Sequence, residues 1–193
     1  MVAHADGKAH RIGAMLREAA EPERIRDAVH RLSVILLSSI RSAARRPVVP
    51  VVVMRGGLLM WDAARLCLPA APTGVVVPTR SAYNHDDVPT VAYGNVPHGS
   101  SYLLLDPIVN SGNTIVATVD ALRRQAGGVD VAVASVFATR DGVSTIHDAA
   151  ADVAVHALWP DMPVGDDLRL VGVGFDAGDA AFGSAGARHH WTG

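Results

Sequence analysis

The sequence predicts an α/β fold built on a mostly parallel, doubly wound sheet. Short runs rich in Val, Ile and Leu, apolar on both faces, alternate along the chain with amphipathic segments of helical spacing. The chain has 193 residues, of which 49% are hydrophobic, enough for one domain with a sizeable core. Because strands that alternate with helices form βαβ units, we expect helices on both faces of the sheet.

Residues 1–46 are predicted to form N-terminal helices, with helical spacing over residues 10–44 and a break near Pro22. Pro47 ends this region, since proline cannot continue a helix. An apolar stripe at three- and four-residue spacing defines the buried face of the second helix, and it consists of Ile25, Val29, Leu32, Leu36 and Ile40. The next elements are, in order, a strand at 48–54, a helix at 58–68 and a strand at 73–79.

Residues 80–100 are polar and rich in Gly, Pro, Asn and Asp, which predicts a long loop or flap. Loops of this length inside a compact domain are usually functional or mobile. The pattern of strands and helices then resumes. The predicted elements are a strand at 101–105, a helix at 114–126, a strand at 129–137, a helix at 142–150 and a strand at 152–158.

Charge and cysteine content restrict the partners and the compartment. Seventeen Lys and Arg residues against nineteen Asp and Glu residues give a net charge of −2, so no global field attracts nucleic acid or a membrane. The single cysteine, Cys67, cannot form an internal disulfide, which fits a reducing compartment, and its apolar helix face indicates a core residue. The N-terminus has no apolar signal region, and the apolar run at 48–54 is too short for a bilayer. We therefore expect a soluble, cytoplasmic protein.

The stretch "LLLDPIVNSGNT" at 103–114 is the main candidate binding site. It carries Asp106 to the carboxyl end of a strand, the edge where open α/β sheets bind ligands. Its small residues let a ligand approach the backbone, and free N–H groups at the following helix start favour an anion. The stretch is thus a candidate phosphate cradle, with Asp106 as an acceptor for sugar hydroxyls. Alternatively, it is a helix-capping turn, with Asn113 or Ser111 as the N-cap and Asp106 as a turn residue.

Three segments in order resemble type I phosphoribosyltransferases, and specifically uracil phosphoribosyltransferase. Residues 103–114 resemble the ribose-phosphate signature, with the Asp-Pro pair of the uracil enzyme. Residues 51–69 resemble the Arg-Ala-Gly-Leu segment, and residues 173–184 resemble the Gly-Asp-Ala-Gly-Asp ending. The resemblance spans nearly the whole chain. It implies the type I phosphoribosyltransferase fold in a single domain over residues 1–193, with a flap at 80–100 and a base-binding segment at 159–184.

The resemblance also implies an activity. This is phosphoribosyl transfer from 5-phosphoribosyl 1-diphosphate (PRPP) to uracil, giving UMP and pyrophosphate in pyrimidine salvage, with Mg²⁺ carried by PRPP and no metal held by side chains. A homodimer is the implied assembly. Arg55, Arg80 and Asp106 are the implied catalytic residues. The implied PRPP-binding residues are Arg55, Gly56, Arg80, Asp106, Pro107, Ile108, Val109, Asn110, Ser111, Gly112, Asn113, Thr114 and Asp176, and the base-binding residues are Leu170, Phe175, Asp176 and Ala177.

Some positions depart from the family pattern near the expected base site. Phe175 stands where the family has glycine, unless a one-residue gap brings Gly174 there and leaves Phe175 as a packing residue. Ala180 stands where an arginine normally follows the aspartate, and the residues after Arg80 lack the usual acidic run. Two alternatives follow: a phosphoribosyltransferase acting on another pyrimidine or heterocycle, and a non-catalytic regulator that binds PRPP or a nucleotide.

Overall fold

The computed structural model describes residues 7–18, 21–43, 47–79, 89–166 and 170–182, and these residues form helices around a seven-stranded sheet. The helices are α1 (Gly7–Glu18), α2 (Pro22–Ala43), α3 (Leu58–Cys67), α4 (Asn113–Ala126), α5 (Arg140–Ala149) and α6 (Ala177–Phe182). The strands are β1 (Val49–Val53), β2 (Gly74–Thr79), β3 (Thr90–Asn95), β4 (Ser101–Leu105), β5 (Ile108–Val109), β6 (Asp130–Thr139) and β7 (Ala154–Met162).

The sheet has the predicted mostly parallel arrangement. Its strands follow the order β3-β2-β1-β4-β6, with β7 on the far side of β6 and the short β5 pairing with β6 beyond β4. All strand pairs are parallel except β2 with β3. The chain winds from β1 to β2 in one direction and from β4 to β6 in the other. The carboxyl ends of β1 and β4 therefore flank the point where the winding reverses, the usual ligand crevice of such sheets.

Helices cover both faces of the sheet, as the apolar strands predict. Alternate residues of β4 point to opposite faces. Leu103 and Leu105 join a core with residues of α1, α2 and α3, whereas Tyr102 and Leu104 join a second core with residues of α4 and α5. Cys67 is confirmed as a core residue, because it is 5% exposed and its Sγ lies 3.5 Å from Ser38 Oγ. The doubly wound fold class is confirmed.

The two N-terminal helices are confirmed, with α2 beginning at Pro22. Of the predicted apolar stripe, Ile25, Val29, Leu32 and Leu36 are buried, and Ile40 is partly buried against the same core. Among the described residues, none of the helices combines the length and apolar character needed to cross a membrane.

The prediction of a loop over 80–100 is wrong for Thr90–Asn95, which form β3 antiparallel to β2. Edge pairing with β2 satisfies the backbone of this polar segment, so an apolar pattern is not needed to form the strand. Residues 80–88 lie outside the described residues. The short elements β5 and α6 were not predicted, and β7 continues beyond the predicted end at residue 158 to Met162.

Candidate active site

Three segments converge at the carboxyl ends of β1 and β4. They are residues 54–57 after β1, residues 106–110 after β4, and residues 173–178 near the C-terminal end of the described chain. Together they form most of the wall of a cavity of about 450 Å³. The lining residues are Met54, Arg55, Gly56, Pro78, Asp106, Ile108, Asn110, Thr114, Leu170, Val173, Phe175, Asp176, Ala177 and Gly178.

The first segment is a tight turn between β1 and α3 that includes a cis peptide bond between Met54 and Arg55. Gly57 is buried, and a Cβ at this position would collide with the carbonyl oxygen of Leu105. A Cβ at Gly56 would lie 3.1 Å from the Cβ of Ala177. The two glycines thus allow the turn to pack closely between the end of β4 and the start of α6, which brings Arg55 to the cavity.

The second segment is held to the start of α5 by hydrogen bonds. Asp106 accepts a hydrogen bond from the Ile108 N–H at 3.3 Å, so its carboxylate does stabilise the turn while the residue lines the cavity. The Thr139 hydroxyl donates to the Asn110 carbonyl at 2.5 Å and accepts from the Gly142 N–H at 2.9 Å. Thr139 therefore caps α5 and fixes the loop with one side chain.

Gly112 is the N-cap of α4 and, as a glycine, contributes no side-chain cap hydrogen bond. The alternative that Asn113 or Ser111 serves as the N-cap is therefore wrong. Gly112 has φ +78°, and a Cβ there would collide with the carbonyl oxygen of Gly142. Only glycine combines this backbone conformation with such close packing. The start of the 14-residue α4 consequently lies beside the cavity, where helix N–H groups favour an anion.

The third segment supplies apolar surface. Leu170 is 6% exposed and forms an isolated antiparallel bridge with Val164. Phe175 is half-buried, packs against the core on the α1–α3 face and lines the cavity, whereas Gly174 is exposed and does not line it. The cavity therefore combines apolar lining from Leu170, Val173 and Phe175 with polar lining from Arg55, Asp106, Asp176 and the start of α4.

Arg55 connects the first and third segments. Its Nη2 lies 3.3 Å from Oδ1 of Asp179 and 3.9 Å from Oδ1 of Asp176. Asp176 also accepts a hydrogen bond from the Asp179 N–H at 2.9 Å, so its side chain caps α6. The Arg26 guanidinium of α2 donates to the Ala180 carbonyl at 3.1 Å and anchors α6 from behind.

Most of the site residues expected from the sequence meet in this cavity. Ten of them line it, namely Arg55, Gly56, Asp106, Ile108, Asn110, Thr114, Leu170, Phe175, Asp176 and Ala177. Five expected residues of the 106–114 stretch do not, because Pro107, Val109 and Gly112 are buried beneath the loop and Ser111 and Asn113 lie outside the lining. Arg80 lies outside the described residues.

Four lining residues were not expected from the sequence, namely Met54, Pro78, Val173 and Gly178. Their side chains carry no reactive or charged group, so residue type gives no signal of a site. Position alone could have identified them, since each lies within two residues of a residue that was predicted.

Comparisons of the sequence with known proteins point to one family. A family model described as uracil phosphoribosyltransferase matches residues 9–184. A uracil phosphoribosyltransferase of Pediococcus pentosaceus is 29% identical over 149 residues, covering 74% of this chain and 68% of the relative. A uracil phosphoribosyltransferase of Rhodospirillum centenum is 33% identical over 138 residues, covering 68% of this chain and 62% of the relative.

Two solved structures support the fold. A protein from Aquifex aeolicus superposes with a TM-score of 0.80 at 18% identity, over 97% of this chain and all of the other. The adenine phosphoribosyltransferase of Trypanosoma brucei, solved with AMP, pyrophosphate and ribose-5-phosphate, superposes with a TM-score of 0.58 at 15% identity, over 91% of each chain. At these identities the likeness concerns the fold alone.

Proposed function

The chain belongs to the uracil phosphoribosyltransferase family, and from this premise we propose that it transfers the phosphoribosyl group of PRPP to uracil, giving UMP and pyrophosphate. It is accordingly an enzyme of the pentosyltransferase class. The single observation that carries the proposal is the cavity at the reversal of the sheet. Its lining brings together a cation, a helix N-terminus, carboxylates and apolar side chains.

In this proposal the loop 106–114 binds the ribose 5-phosphate part of PRPP. The backbone N–H groups at the start of α4 and the Thr114 hydroxyl suit a phosphate. Asp106 suits the ribose hydroxyls, and its carboxylate also favours the positive charge that develops on the sugar as the leaving group departs. The transfer needs no covalent nucleophile, because this cation-like sugar reacts directly with a base nitrogen positioned next to its anomeric carbon.

Arg55 and the Gly56 backbone serve the departing pyrophosphate. The guanidinium has a fork of five N–H donors that suits phosphate oxygens. Mg²⁺ entering with PRPP would neutralise further charge on the diphosphate. Mg²⁺ prefers oxygen ligands, and the carboxylates of Asp106 and Asp176 line the same cavity. The corresponding role of Arg80 in the 80–100 segment remains a prediction from the resemblance.

Uracil would lie against the apolar lining of the cavity. Leu170 and the ring of Phe175 provide flat apolar contact, and the backbone of residues 175–177 provides hydrogen-bonding groups for the edge of the base. We further propose that the enzyme acts in the cytoplasm, in pyrimidine salvage, as a homodimer. The family match supports uracil over another heterocycle and supports catalysis over a purely regulatory role.

The decisive experiment incubates the protein with PRPP, Mg²⁺ and, separately, uracil, cytosine, thymine, orotate, adenine and hypoxanthine, and measures pyrophosphate release. We expect release with uracil and formation of UMP as the matching product. Release with a different base only would overturn the assignment of the acceptor. Absence of release with every base, in a protein that binds PRPP by calorimetry, would favour the regulatory alternative instead.

A further inference from the structure

We propose that Asp179 is a positioning residue that holds Arg55 in place for its interaction with pyrophosphate. This inference rests on the proposed function, since it needs Arg55 to contact the leaving group. It assigns Asp179, a residue of the C-terminal segment, to the part of the site proposed to bind pyrophosphate.

The ion pairs of Arg55 engage one corner of its guanidinium group. In the part of the chain that the structure describes, both carboxylate contacts of Arg55 are made by Nη2, at 3.3 Å to Asp179 and 3.9 Å to Asp176. Neither contact uses Nε or Nη1. The two carboxylates therefore fix one corner of the guanidinium and leave the remaining N–H donors for an anion in the cavity.

The guanidinium of Arg55 is also closely packed against the backbone of Gly178. A Cβ built on Gly178 would lie 2.9 Å from Nη2 of Arg55 and 3.0 Å from both Cζ and Nε. The guanidinium group thus lies directly over the backbone of Gly178, in the first turn of α6. Together with the contact to Asp179, this packing restricts a long side chain that is otherwise about half exposed, at 47%.

Asp179, which contacts Arg55, is itself anchored by neighbouring hydrogen bonds. Asp179 is the less exposed of the two carboxylates, at 22% against 53% for Asp176. Its backbone N–H is held by the Asp176 side chain at 2.9 Å, and Arg26 holds the Ala180 carbonyl at 3.1 Å. A carboxylate on a backbone fixed at both sides restrains its partner better than one on a free loop.

The consequence for catalysis is preorganisation. Charge accumulates on pyrophosphate as the glycosidic bond breaks, so the cation that stabilises it must already be in position. An unrestrained arginine would have to be ordered during the reaction. Asp179 performs that ordering during folding, and the effect should appear in turnover more than in the binding of a ligand without pyrophosphate.

The test compares Asp179→Ala and Asp179→Asn with wild type and with Asp152→Ala as a matched control. Asp152 forms a similar pair with Arg123, at 2.6 Å, on the far side of the molecule. We expect Asp179→Ala to lower kcat by up to about a hundredfold, the loss that a misplacement of about 1 Å in an active site can cause. Asp179→Asn keeps an oxygen acceptor for Nη2 and should recover part of that loss. The KM for uracil and the Kd for UMP should stay unchanged in both, and Asp152→Ala should behave as wild type.

A double-mutant cycle separates positioning from a general structural role. If Asp179 acts through Arg55, adding Asp179→Ala to Arg55→Ala should lower kcat no further. A multiplied loss in the double variant, tighter pyrophosphate binding in Asp179→Ala, or a kcat equal to that of Asp152→Ala would each overturn the inference. If the wild-type protein neither binds PRPP nor releases pyrophosphate with any base, the proposed function fails and the inference fails with it.

Discussion

The loop at residues 106–114 and the C-terminal segment at residues 170–182 line the same cavity but are built in different ways. The loop is held by its own backbone and by the adjacent α5, through the close approach of Gly112 to Gly142 and the bonds of Thr139. The segment is held by side chains from distant parts of the sequence, through Arg55 to Asp179 and Arg26 to Ala180.

The difference suits the ligands that each region is proposed to bind. A phosphate is the same group in every PRPP molecule, and a rigid array of backbone N–H groups can bind it with few side chains. A base differs from enzyme to enzyme, and side chains can change at a binding wall without altering the backbone that supports them. Damage to the loop should therefore affect folding, whereas changes in the segment should affect rate and selectivity.

The largest expected effect is on folding, from Gly112→Ala. A Cβ there would meet the Gly142 carbonyl oxygen while the backbone has φ +78°. We expect the free energy of unfolding to fall by about 3–4 kcal/mol, since a steric clash adds to the strain of a left-handed backbone. Urea titration followed by circular dichroism measures it. Gly127→Ala gives a comparison without a clash, because Gly127 has φ +77° and ψ −152° with nothing within 4 Å of an added Cβ, so only backbone strain of about 1–3 kcal/mol is expected there.

A loss of no more than about 1–2 kcal/mol for Gly112→Ala would show that backbone strain alone matters and that the packing of the loop on α5 contributes nothing. Valine at position 112 should lower the free energy of unfolding by more than alanine does. Substitution of this glycine is accordingly a probe of the fold, and the phosphate site is better tested through side chains.

The second prediction concerns Arg55, which belongs to neither region but contacts the C-terminal segment. Removing an electrostatic contact to developing charge typically costs about a hundredfold or more in rate. We expect Arg55→Ala to lower kcat for UMP synthesis by that amount, while the Kd for UMP, which carries no pyrophosphate, stays within about twofold. Initial rates of pyrophosphate release and calorimetry with UMP measure the two quantities. Normal pyrophosphate release in a folded Arg55→Ala protein would assign the leaving-group contact to another residue.

The same difference explains how much could be predicted from the sequence. Strands β1, β4 and β6 were predicted because residues buried on both faces leave continuous apolar runs, and Asp106 followed as the polar residue at the end of β4. Arg55 came instead from the resemblance of residues 51–69 to the family. Helix α6 was missed because its six residues, three alanines and one glycine among them, are too few to show the repeated apolar spacing of a helix. Its stability comes from Asp176 and Arg26, which no local pattern shows.

The third prediction tests the selectivity of the segment with Phe175→Gly. The ring lines the cavity, so its removal enlarges the cavity and removes an apolar surface against which a base can stack. We expect the ratio of kcat/KM for uracil to that for a 5-substituted uracil to change by about tenfold, comparable to the effect of one methylene group in an apolar pocket. Phe182→Gly is the control, since Phe182 is 55% exposed and does not line the cavity. An unchanged ranking of bases in Phe175→Gly would mean that Phe175 only packs against the core.

The smallest expected effect comes from an ion pair that lies in neither region. Asp152 precedes β7 and so lies at the amino end of the sheet, opposite the cavity, where Arg123 Nη2 contacts its Oδ2 at 2.6 Å. The hydrogen bond from Arg123, with help from the Asp152 backbone N–H, lowers the pKa of this carboxyl below its ordinary value. A lowered pKa means that the pair stabilises the fold above the unfolded-state pKa and loses this effect as the pH falls through the folded-state pKa.

The effect is small because the carboxylate is exposed to solvent and screened by salt. We therefore expect Asp152→Asn to lower stability slightly at neutral pH, to match wild type in strongly acidic solution and in high salt, and to leave kcat unchanged. Urea midpoints measured across that pH range test this, and a clear loss of kcat would show that an arginine–aspartate pair influences turnover even far from the cavity, which would remove the distinction drawn for Arg55 and Asp179.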